Sequence, residues 1–250
     1  MDQRIIFLPL LIASQILIGV WWYQQPESFL WLGVAILVIN LASAKWLGSA
    51  RIDWWKFALL PSVLMISGLS YALMISVPSL ALGVIAVSVF GSIVYWRLVF
   101  LYAFKQGSFR PFSLERSSTY LSLIAIFFSA AAIFGFKTFL DFPDWQLFAA
   151  SVVMSAAVVT QWLWFEKAEE HHNWIYGAIL MLGLAEFFIA LSLLPINFHL
   201  LGFMLGVMWY GLSSLLSRQI SGQLNVARAR FIMIITILVS LAVLLTARWF

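Results

Sequence analysis

The chain has no cysteine among its 250 residues. Disulfides, thiolate metal sites, iron–sulfur clusters and thiol nucleophiles are therefore excluded. Charge is scarce as well. Acidic and basic residues make up 10% of the sequence, against roughly 25% in an ordinary soluble domain. Histidine occurs three times, and there is no H-E-x-x-H, Walker A or G-x-S-x-G pattern. No cofactor is indicated. What fills the sequence is apolar: 64% by the broad count, with a mean hydropathy of +1.01. These numbers exclude a soluble globular domain, a disordered chain and a nucleic-acid binder. The net charge of +4 comes from a few bases at particular places and is no argument for DNA.

A bilayer core takes about 20 apolar residues per helix, within a range of roughly 17–25. Nine stretches meet that need: 5–22, 28–44, 57–76, 80–104, 117–136, 145–165, 174–194, 198–217 and 231–247. The expected fold is an all-α, polytopic integral membrane helix bundle with nine transmembrane helices. The first stretch reads as a retained helix, because Trp21, Trp22, Tyr23 and Gln24 follow it where a cleavage site needs small residues.

The bases sort by side. With the N-terminus on one side, that side receives 12 of the 14 lysines and arginines, leaving Lys137 and Arg248 opposite. The positive-inside rule then makes the N-terminus cytoplasmic and, after nine crossings, the C-terminus external. A multi-pass protein of the plasma membrane is the expected location. Trp21, Trp22, Trp46, Trp54, Trp55, Trp145, Trp162, Trp164, Trp174 and Trp249 fall near stretch ends, where an indole prefers the interface.

The outer connections 23–27, 77–79, 137–144 and 195–197 are short and hold Pro26, Pro78, Pro143 and Pro195. The chain reads as four hairpins plus a final helix, in a single transmembrane domain over 1–250. A shift of 117 residues maps Pro26 onto Pro143, Pro78 onto Pro195, Glu27 onto Asp144 and Trp31 onto Phe148. One reading is a 4+4 internal repeat, 1–116 and 117–230, with parallel copies because each makes an even number of crossings. The other is that short turns use proline.

Glu186 is the most informative polar residue. It lies twelve residues beyond Trp174, about 18 Å along a helix, and a carboxylate at that depth marks a site by default. Gly183 and Ala190 on its face predict that it points into the bundle. It either stands unpaired or pairs with a base, and its best basic partner is Arg97. Gln15 and Asn40 lie inside the first two stretches and are expected to hydrogen-bond between helices. Gly202 and Gly206 form a G-x-x-x-G pair, and Ser151 and Ser155 a small-x-x-x-small pair, both signs of close helix contact.

Two inner connections carry the remaining candidates. Lys105, Arg110 and Arg116 sit among aromatics and are suited to anionic headgroups or a partner at the cytoplasmic face. Glu166, Glu169, Glu170 and His172 cluster in the other. Glu169 and His172 have the E-x-x-H spacing of di-metal bundles, but only in one copy, so they are weak metal ligands and no metal is expected.

Three function classes remain. The first and favoured one is a non-enzymatic membrane component or scaffold subunit of an envelope complex, with a membrane-protein partner or a second copy. The second is a small transporter using Glu186 and the polar residues of the first two helices. The third is a membrane-embedded lipid-modifying enzyme with a cytoplasmic-face site. For topology, a reporter fused after Phe250 is expected to be active outside, and one inserted at Gly222 in the cytoplasm. The same side for both refutes nine crossings.

Overall fold

A computed structural model describes residues 3–25, 29–47, 54–104, 113–166 and 174–247. Among them are nine α-helices and no strand: α1 (Gln3–Gln24), α2 (Phe29–Leu47), α3 (Lys56–Leu73), α4 (Pro78–Phe104), α5 (Ser113–Leu140), α6 (Asp144–Phe165), α7 (Trp174–Ser192), α8 (Phe198–Ile220) and α9 (Val226–Thr246). The seven from α3 to α9 are long and apolar enough to cross a membrane. Each apolar stretch of the sequence became one helix. The boundaries moved where end chemistry, rather than hydropathy, decides.

Three ends show this. Helix α9 starts at Val226 instead of 231, because the Asn225 side chain accepts a hydrogen bond from the Arg228 N–H at 2.8 Å and so caps the polar first turn. Helix α8 runs on to Ile220 and stops at Gly222, whose φ is +66°. There the Gln223 N–H donates to the Arg218 carbonyl and the Gly222 N–H to the Gln219 carbonyl. That is the Schellman arrangement, which needs a left-handed residue at this position. Helix α5 outgrows its apolar stretch at both ends, with Glu115 in its first turn and Lys137 in its last, each matched to the helix dipole.

The chain divides into two compact units, Met1–Ala125 and Ile126–Phe250; the boundary falls inside α5. In the first unit α3 packs against α2 and α4, and α1 against α2 and α4. Helix α3 is buried on nearly every side. Its Ser67 and Ser70 hydroxyls donate to the Leu64 and Ile66 carbonyls, so they carry no unmet polar need into the interior. Ile18, Trp22, Ile36, Met65, Leu69 and Ile85 pack together in this unit. Gly91 lets α4 close on α3 and α5, since a Cβ there would stand 2.9 Å from both Leu64 and Leu121.

In the second unit α7 packs between α6 and α8, and α9 lies on α8. Gly202 of the G-x-x-x-G pair faces the backbone of Ala131 in α5, where an added Cβ would meet N at 2.8 Å and Cα at 2.9 Å. This glycine therefore serves packing within the chain. Ser151 and Ser155 lie on the buried face of α6. Phe134 and Phe188 stack at 4.8 Å between α5 and α7. Helix α9 has no buried residue, and Phe231, Ile234, Ile237, Leu238 and Leu245 are all exposed. In water such a surface invites association; in hydrocarbon it costs nothing.

Gly202→Ala is expected to lower stability by about 1–3 kcal/mol, because backbone must move to admit the methyl. Gly83→Ala, with nothing within 4 Å of the added Cβ, is expected to be neutral or slightly stabilising. Thermal unfolding of the two variants in detergent distinguishes them; equal effects refute the contact.

Candidate functional site

The polar residues of the first two helices meet. Gln15 of α1, Asn40 of α2 and Trp96 of α4 each have 0% exposure. The Gln15 Nε2 donates to the Asn40 Oδ1 at 3.2 Å, and the Trp96 Nε1 donates to the same oxygen at 3.0 Å. An indole can only donate, so Trp96 fixes which end of the Asn40 amide is oxygen. That in turn fixes the Gln15 amide. Three helices are joined through one acceptor, as an amide in hydrocarbon requires. The Gln15 Oε1 and the Asn40 Nδ2 remain buried without partners, as do the hydroxyls of Ser62 and Ser92.

The sequence reading expected Gln15 and Asn40 to seek partners but missed Trp96. Tryptophan was read chiefly as an interface residue. Trp21, Trp46, Trp55, Trp145 and Trp174 are exposed in keeping with that reading, whereas Trp22 and Trp162 are buried and depart from it. The detectable signal for Trp96 was its depth, far from either end of a 27-residue helix.

Glu186 sits opposite to its expected direction. The buried residues of α7 are Gly177, Leu180, Leu184, Phe188 and Leu191. Glu186 is two positions from Leu184 and Phe188, about 200° around the helix axis, and it is exposed. Its neighbours Ile179, Leu182, Ile189 and Leu193 are exposed too. The small residues do not mark the buried face of α7. Gly183 turns toward Leu212 of α8, and Ala190 is exposed. In this helix the buried stripe is Leu180, Leu184, Phe188 and Leu191, with Gly177 its one small member. Arg97 is exposed on α4. It and Glu186 belong to different units, each on an outward face of its own.

Arg116 is exposed in the first turn of α5, and Glu166 is half-buried at the end of α6. Lys105, Arg110, Glu169, Glu170 and His172 lie outside the described residues. Among those described, no cluster of three metal-ligating side chains occurs.

One pair went unnoticed in the sequence. Lys137 at the end of α5 and Asp144 at the start of α6 form an ion pair of 2.8 Å, and the Lys137 ammonium also donates to the Ser192 carbonyl at 3.4 Å. The two residues sit at opposite ends of one eight-residue connection, which was the available signal. Compared with known protein families, with curated proteins and with solved structures, the chain matches none.

The shared acceptor makes an ordered expectation. Asn40→Leu strands both the Gln15 amide and the Trp96 indole, while Gln15→Leu leaves the Trp96 bond intact. Asn40→Leu is therefore expected to cost more, by about 1 kcal/mol or above. The double variant is expected to cost less than the two singles combined. Strict additivity in detergent melting refutes the bond.

Proposed function

We propose that the chain is a non-enzymatic, multi-pass component of the plasma membrane that binds a partner membrane protein through the outward face of α7. The observation that carries this reading is Glu186: an acid on an apolar surface, exposed, and six residues from the end of its helix. That spacing is about 9 Å of rise, more than the short glutamate side chain can span to reach the headgroups. A carboxyl group facing lipid there is unfavourable. A neighbouring helix that offers a cation or an amide donor at the same depth removes the penalty. Ile179 and Leu182 flank the acid and give that helix an apolar bed. Nine crossings, a cytoplasmic N-terminus and an external C-terminus belong to this proposal, as does the parallel repeat over 1–116 and 117–230.

A small transporter is the second reading. Its support is the unpartnered Gln15 Oε1 and Asn40 Nδ2, which lie deep in the first unit, where the oxygen can accept a hydrogen bond from water or a polar solute and the nitrogen can donate one.

Because the chain has no cysteine, single-cysteine crosslinking is clean. Leu182→Cys is expected to crosslink in native membranes to a protein whose membrane helix carries Lys, Arg, Asn or Gln, and adding Glu186→Leu is expected to abolish the product. The purified chain with Glu186→Leu alone is expected to melt within about 0.5 kcal/mol of the wild type, as for a surface change. A marked loss of stability returns Glu186 to a pairing inside the chain. A crosslink indifferent to Glu186, or a product of twice the chain's mass, refutes a heterologous partner held by the acid.

A further inference from the structure

The second unit holds a cavity of about 370 Å³, within the usual range for small-molecule sites of roughly 300–1,000 Å³. Phe134, Phe148 and Phe188 form its wall, and Lys137 and Asp144 stand among its lining residues. It lies where α5 ends, α6 begins and α7 ends, so its charged edge is at headgroup depth and its wall reaches into hydrocarbon. Leu193, also lining it, is 78% exposed. Ile189, a turn inside the end of α7, lines it too and is 50% exposed, so the cavity opens onto the apolar outward face of that helix.

The ion pair contributes little to stability. Its side chains are 37% and 79% exposed, and such pairs are worth about 0–1 kcal/mol. Both partners have capacity left. Lys137 spends two N–H donors on Asp144 and Ser192, leaving a third free. Asp144 meets Lys137 through Oδ1, and its Oδ2 can accept from another donor. Asp141, exposed in the same connection, adds a second acid. One cation beside an acid, with a second acid in the same connection, suits a phosphate that carries its own ammonium better than a purely anionic headgroup.

We propose that this cavity binds a phospholipid with a phosphoethanolamine headgroup, drawn from the leaflet at the α5–α6 connection. The phosphate accepts the free N–H of Lys137, and the primary ammonium donates to Asp144. The first part of an acyl chain lies against Phe134, Phe148 and Phe188. A choline headgroup has no N–H to give Asp144, and a phosphoglycerol headgroup brings only negative charge. The cavity shares Ile189 and Leu193 with the outward face of α7, but the site does not depend on the carboxyl group of Glu186.

The test is native mass spectrometry of the full-length chain, delipidated in detergent and titrated with phosphatidylethanolamine, phosphatidylcholine and phosphatidylglycerol of matched acyl chains. One phosphatidylethanolamine is expected to bind in preference to the other two. Lys137→Met and Asp144→Asn are each expected to weaken it about tenfold, the loss of one charge-assisted hydrogen bond. Phe148→Trp, which fills the cavity and leaves the charges alone, is expected to weaken it as well, with melting temperatures unchanged in all three. Equal affinity for phosphatidylglycerol or phosphatidylcholine, or binding that none of the three variants reduces, overturns the proposal.

Discussion

Hydrocarbon offers no hydrogen bonds, so each backbone polar group that enters it must find its partner in protein, and a side chain left without one is costly. The rest of this structure follows from that constraint. It forces every long apolar segment into helix. It ties α1, α2 and α4 together through a single Asn40 oxygen that accepts from both Gln15 and Trp96. It also turns the hydroxyls of Ser43, Ser70 and Ser88 back onto carbonyls of their own helices, where they satisfy themselves and leave helix surfaces free to pack.

The same constraint changes what burial means. In water, apolar area drives a helix inward. Here α3 is almost wholly enclosed and α9 encloses nothing, yet α9 has the higher hydropathy. What separates them is fit. Helix α3 carries Ser62, Ser67, Gly68 and Ser70, small enough for neighbours to approach closely. Helix α9 meets α8 at Gly211, where a Cβ would stand 2.6 Å from the Thr236 hydroxyl, and is otherwise dressed largely in isoleucine, leucine and valine. Gly91 and Gly202 do for α4 and α8 what the small residues do for α3.

Polar groups that packing does not absorb are the ones that point to function. Glu186 and the Lys137–Asp144 pair are both on the second unit, and both face outward. Neither is explained by the stability of the chain: the acid has no role in the face that α7 buries, and the ion pair is too exposed to matter much. An outward acid among lipids calls for another helix, and an outward zwitterion beside an aromatic cavity calls for an amphipathic molecule. The two demands rest on different polar groups, although Ile189 and Leu193 border both.

The sequence alone pointed to a helical membrane protein and placed one helix on each apolar stretch, leaving the helix ends to cap chemistry. Each helix is a block of some twenty apolar residues, and hydropathy is a local property that needs no knowledge of neighbours. It also marked Gln15, Asn40 and Glu186 as residues needing an explanation. It could not say which face of a helix turns inward, because an apolar block lacks the polar side that reveals direction in a soluble helix. Gly183 and Ala190 therefore suggested the wrong face for Glu186, and Trp96 was lost among thirteen tryptophans. Only the tertiary structure put Trp96 beside Asn40, Gly202 against Ala131, and Lys137 with Asp144 at the edge of a cavity. Each of those contacts joins helices distant in sequence or turns on side-chain direction, and close packing in three dimensions decides both.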